Sequence, residues 1–152
     1  MVQQSIAIRA PIQTVYDTIV DFQSYPEFLP ETRSVCVEWC EDQSMEVSFK
    51  IALIKEIHYT LLFNFRPPKE VVWKLQRGDL LKKNSGSWKL TSLEPNLTDV
   101  VYSLDVALGL WVPKTLTEGL TARNLPETLK RFKKRAEDKY KKTQKKTGHP
   151  RV

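Results

Sequence analysis

Two histidines, two cysteines and a scatter of carboxylates are the residues in this 152-residue chain whose types could do chemistry. His58 alternates onto the same strand face as Thr60 and Asn64, opposite Tyr59, Leu61 and Phe63, and His149 sits near the C-terminal end, so both read as surface histidines. A zinc site needs three or four ligands, and the sequence does not supply the partners. Cys36 and Cys40 lie four apart in what reads as a strand, where about 13 Å would separate their Cα atoms, too far for a disulfide. They are expected to be two small buried or half-buried hydrophobes. Glu41, Asp42, Glu70, Asp79, Glu94 and Asp99 fall on turns and outward faces, and Asp105, opposite Tyr102 and Leu104, is expected to meet solvent. A Gly-x-Ser-x-Gly elbow, a His-Glu-x-x-His pair, a Cys-x-x-Cys and a phosphate-cradling glycine loop are all absent. Neither a metal nor a cofactor is expected, and no residue stands out as catalytic.

Composition narrows the classes further. The length suits one domain that buries roughly two thirds of the surface of its unfolded chain. The N-terminal MVQQSIAIRA lacks the basic flank and apolar run of a secretion signal, and no run reaches the roughly 18 apolar residues of a membrane span, so a cytoplasmic protein is expected. Asn96-Leu97-Thr98 therefore reads as a turn rather than a glycosylation site. The net charge of +6 is unevenly spread: residues 130–152 hold eleven Lys/Arg against two acids, Glu137 and Asp138, which leaves the rest mildly acidic.

Periodicity places the elements that must position any site. Residues 2–9 alternate like a strand, and Pro11 suits the first position of a helix whose Ile12, Val15, Tyr16 and Ile19 share one face. A second short helix is expected over Tyr25–Leu29, between Pro26 and Pro30. The period then changes to two in successive runs: Val35, Val37 and Trp39; Met45 to Leu53; Ile57 to Phe65; Val71, Trp73 and Leu75; Gly86, Trp88 and Leu90; and Val100 to Leu108. Pro113 is expected to open a last helix, Pro126 to kink or break it, and residues 141–152 to form a basic flexible tail behind a domain spanning 1–140. The order strand, two helices, six strands, long helix predicts an α+β domain in which a seven-stranded curved antiparallel sheet wraps the C-terminal helix. One helix cannot touch a strongly curved sheet everywhere, so an apolar cavity is expected between them.

The corner FQSYPEFLP at residues 22–30, the GSWKL strand, the GLWVPKTL segment and the closing LPETLKRFKKRAE, taken in this order and spacing, resemble the START-like helix-grip superfamily. Within it they are similar to the branch of polyketide cyclase/dehydrase-like proteins, coenzyme-Q-binding proteins and the ribosome association toxin, over residues 2 to about 140. The resemblance implies an internal cavity for a hydrophobic ligand, whose mouth is formed by the two short helices and neighbouring loops. A lid of Tyr25, Pro26, Phe28, Leu29 and Pro30 is then expected, and the competing reading is that these residues, with Phe22, plug the open end of the sheet as ordinary core.

The expected cavity residues are Val47, Phe49, Tyr59, Phe63, Trp73, Trp88, Tyr102, Leu104, Leu116, Leu120 and Arg123, with Asn124 a further polar candidate beside Arg123. The leading expectation is a carrier or chaperone that binds a lipid, quinone or polyketide-like molecule without catalysis. A cyclase or dehydrase using Tyr102 or Arg123 to hold and polarise a polyketone is a second reading. A third, carried by the likeness to the ribosome association toxin, is a ribosome or RNA binder working through the basic C-terminus. That basic run also fits attraction to an anionic membrane at about 1 kcal/mol per residue, or simply a solvated face.

Overall fold

The alternating runs form seven strands in the computed structural model, which describes residues 1–52, 55–109 and 125–147. β1 (Val2–Ile8) leads into α1 (Ile12–Val20), a single 3-10 turn (Phe22–Ser24) and α2 (Tyr25–Phe28). β2 (Thr32–Glu41), β3 (Ser44–Ala52), β4 (Glu56–Arg66), β5 (Glu70–Gly78), β6 (Leu81–Glu94) and β7 (Leu97–Leu108) follow, and α3 (Leu125–Thr147) ends the described chain. All neighbours in the sheet are antiparallel, in the order β1-β7-β6-β5-β4-β3-β2. Only the β1–β7 pairing is non-local, so the first and last strands close one end of the sheet while β2 is the other edge. Register shifts interrupt β2–β3, β4–β5 and β6–β7. Each extra residue bends its strand and raises the local twist, which is how a sheet of this size curls around a helix.

The helices follow from simple rules. Pro11 precedes α1 in an extended conformation, and Val15, Tyr16 and Ile19 are buried on one face. Pro26 occupies the first turn of α2, where a missing N–H costs no hydrogen bond. Pro126 is the second residue of α3, and the stretch before Leu125, on which the expected kink or break at Pro126 depends, lies outside the described residues. The helical start expected at Pro113 lies outside the described residues. Leu125, Leu129, Phe132 and Ala136 recur at spacings of four, three and four and are all buried, forming the stripe that faces the sheet. On the far side, Arg131–Glu127 and Lys134–Asp138 pair at i, i+4. The helix runs through Thr147, beyond the start of the tail expected near Lys141.

Side-chain ties fix α3 against the rest. The Arg9 backbone N–H donates to Glu137 Oε2 at 2.8 Å, and Lys133 Nζ donates to the Ala7 carbonyl at 2.9 Å, joining the end of β1 to the helix. Arg135 reaches across to Glu27 of α2 at 2.6 Å, with its guanidinium 5.1 Å above the Phe28 ring. Buried Thr98 donates its hydroxyl to the Ala10 carbonyl at 2.8 Å, which anchors the turn between β1 and α1.

Two expectations for β2 need correction. Trp39 does not continue the inward face of Val35 and Val37. The register shift between Val37 and Trp39 places it opposite Glu46 instead of an inward residue, and its side chain is exposed. Cys36 and Cys40 are exposed free thiols, not buried hydrophobes, because Cys36 pairs with outward-facing Ser48 and Cys40 sits near the end of this edge strand. No helix among the described residues is long and apolar enough to cross a membrane.

Candidate functional site

The inward positions of β4 to β7 bring an aromatic set together opposite α3. Register alone aligns Phe63 with Trp73, Trp73 with Gly86, and Trp88 with Tyr102. The Trp73 and Tyr102 rings are 5.5 Å apart, Trp88 meets Tyr102 edge-on at 4.5 Å, and Trp88 meets Phe132 of α3 at 4.8 Å. Gly86 makes room for this set. A Cβ there would lie 2.2 Å from the Ser103 carbonyl oxygen and 2.5 Å from Trp73 Cζ2, so only a residue without one lets the indole lie across β6.

Between these rings, α2 and α3 remains a cavity of about 180 Å³. That is on the scale of the engineered apolar cavity of about 150 Å³ that takes benzene. Phe49, Tyr59, Phe63, Trp73, Trp88, Tyr102 and Leu104 line it, together with Tyr25 and Leu29 from the corner. Val47 is fully buried but belongs to the surrounding core and is not a lining residue. Leu116, Leu120, Arg123 and Asn124 lie outside the described residues. The sequence reading missed Asn84, Glu31 and Thr128, and it had read Phe132 only as part of a helical stripe.

The corner divides into two faces. Tyr25 and Leu29 are buried toward the cavity, whereas Pro26 and Pro30 are exposed and act by shaping the backbone. Phe28 packs edge-on against Phe132 at 5.1 Å without lining the cavity. Tyr25 donates its hydroxyl to the Ile19 carbonyl at 2.5 Å and packs against Phe132 at 5.3 Å, and Phe22 sits 4.4 Å from Phe63. Tyr25, Leu29 and Phe22 all belong to the buried core, and of these Tyr25 and Leu29 also line the cavity.

Polar groups in the cavity are few. The Trp73 indole N–H donates to Asn84 Oδ1 at 3.0 Å, which satisfies the indole and leaves the Asn84 amide nitrogen without a hydrogen bond among the described residues. The hydroxyls of Tyr59 and Tyr102 likewise make none among the described residues. Burial pushes both well above the usual phenol range, with the neighbouring Tyr59 adding to the effect on Tyr102. At neutral pH both are protonated donors. Glu31 is the one charged residue among the described lining residues, and no group of three or more His, Cys, Asp or Glu among the described residues is placed to hold a metal ion.

The opposite face of the sheet carries a wider polar groove of about 490 Å³ beside Cys36, Ser48, His58 and Arg77. Its groups largely pair with one another: Ser48 with Glu38 at 2.6 Å and with Thr60 at 2.7 Å. Exposed His58 pairs with Glu56 at 3.1 Å, which agrees with its reading as a surface residue. Water competes for such an open polar surface, so the smaller apolar cavity is the better candidate site.

This sheet, helix and cavity define a START-like helix-grip protein. The chain belongs to the family described as polyketide cyclase / dehydrase and lipid transport, which it matches over residues 1–137. No curated protein matches the sequence. Among solved structures it is similar to the Zhui aromatase/cyclase of Streptomyces sp. R1128, with a TM-score of 0.80 and 16% identity, covering 90% of this chain and 92% of that one. It is also similar to a START superfamily protein of Mycobacterium smegmatis, with a TM-score of 0.72, 20% identity and coverages of 93% and 97%. A STAR-related lipid transfer protein of Xanthomonas axonopodis matches with a TM-score of 0.71, 12% identity and coverages of 88% and 84%. At these identities the three share the fold with this chain.

Proposed function

We propose that this protein binds a hydrophobic small molecule, a lipid, quinone or polyketide-like compound, in the cavity between the sheet and α3, as a cytoplasmic carrier or chaperone without catalysis. The observation that carries the reading is the lining itself: a space of about 180 Å³ walled by aromatic and aliphatic side chains with a few hydroxyl and amide groups. That is the composition of a binding pocket. Proton transfer near neutral pH needs a group poised near that pH, and burial moves the lining tyrosines away from it. The family's description, which includes lipid transport, supports the same reading.

Leu104→Trp tests it. Leu104 is buried, lines the cavity and stands opposite Gly86, so an indole there fills the space without touching the outer face. The variant is expected to keep its circular dichroism and to lose uptake of naphthalene, followed by fluorescence. A folded variant that takes up naphthalene as well as the parent overturns the assignment.

A cyclase or dehydrase is the second reading, favoured by the protonated Tyr102 side chain in the cavity lining, a donor of the kind that can hold a carbonyl. Turnover abolished by Tyr102→Phe with binding retained would select it over the carrier.

A further inference from the structure

The cavity is apolar except at one place. Tyr59 on β4 and Tyr102 on β7 both line it, within electrostatic reach of each other, and Asn84 on β6 is buried beside them through its bond to Trp73. These strands supply two hydroxyl donors and an amide donor with no acceptor among the described residues. The Asn84 amide is buried, and the half-buried Tyr59 and Tyr102 side chains border the same space, so the three donors together form a polar spot that an acceptor oxygen can use. The Tyr25 hydroxyl is not part of this set, since the Ile19 carbonyl already accepts it. Lys, Arg and His are absent from the described lining, and the one charged residue in it is the carboxylate Glu31. Bringing an anion into such a space costs its hydration, and no cation among the described lining residues offsets that cost.

Resting on the carrier reading above, we infer that the cavity selects a neutral aromatic molecule bearing a carbonyl or similar acceptor oxygen, held by Tyr59, Tyr102 and the Asn84 amide, and rejects carboxylates. This separates ring ketones and quinone-like compounds from free fatty acids and other acidic lipids. The ring stacks among Trp73, Trp88 and Phe132 while its oxygen points at the donors.

Three single-ring probes of matched size separate the contributions: acetophenone, ethylbenzene and benzoate, titrated at neutral pH and followed by shifts of the tryptophan indole resonances. Acetophenone is expected to bind about ten-fold tighter than ethylbenzene, the return from one or two neutral hydrogen bonds, with benzoate weaker than both. In Tyr59→Phe/Tyr102→Phe, which keeps both rings, the ratio of acetophenone to ethylbenzene affinity is expected to fall to about one. Equal binding of acetophenone and ethylbenzene by the parent protein, or benzoate binding as tightly as acetophenone, overturns this inference while leaving the cavity as a hydrophobic site. Failure of all three probes to bind removes the carrier reading, and this inference with it.

Discussion

Three tyrosines show what enclosure does to a single side chain. Tyr25 is held well above the ordinary phenol value by burial first and by the neighbouring Tyr102, Asp21 and Tyr59 after that, and Tyr59 and Tyr102 are raised mainly by burial. In the unfolded chain the same groups ionise near 10. Their preference for the protonated form thus stabilises the fold fully below that pH, and the contribution is lost as pH rises from there toward the folded-state values. Stability is expected to fall steadily above pH 10, with tyrosinate absorbance appearing together with the loss of circular dichroism. Tyrosinate absorbance that develops fully near pH 10 while the fold persists would contradict the enclosure of these hydroxyls.

Elements convert such residues into a site through register, and register explains which parts could be read from the sequence. Ile57, Tyr59, Leu61, Phe63 and Phe65 keep one inward face from sequence to structure, although Leu62 is apolar and Thr60 buried between them, so the face of β4 was legible from its strongest positions. Trp39 was not, because the extra residue in β2 reverses its face and nothing in TRSVCVEWCE announces a register shift. Asn84 illustrates a signal that was present and overlooked. It shares parity with Gly86, Trp88 and Leu90 and so had to point inward, but its polar type within KKNSG reads as a surface turn unless the Trp73 indole is known to need an acceptor. Gly86 carries the sharpest prediction at this scale. The Cβ of Gly86→Ala would collide with backbone at Ser103 and with the Trp73 ring, so β6 must shift or the indole must leave its place. A loss of about 3 kcal/mol is expected in denaturant unfolding, at the upper end for overpacking, along with altered tryptophan fluorescence. Wild-type stability in this variant would show that the strands tolerate a separation they do not have here.

The whole molecule is a curved sheet closed on one side by a helix and at one end by a short aromatic corner, and each closure is tied independently. Arg135 and Glu27 join α3 to α2, and Glu137 and Lys133 join α3 to β1, so the cavity persists because its walls are fastened around it. Half-buried Lys139 and the exposed lysines at 141, 142 and 145 extend α3 beyond these ties and make no ion pair among the described residues. They are the other feature of the molecule to which a function could attach. Native mass spectrometry of the protein purified from its own host, followed by organic extraction, separates the two. A co-purifying hydrophobic small molecule, present on the parent protein and missing from Leu104→Trp, is the expected result. An empty cavity in protein that instead carries ribosomal subunits would contradict it and move the function to the basic end of α3.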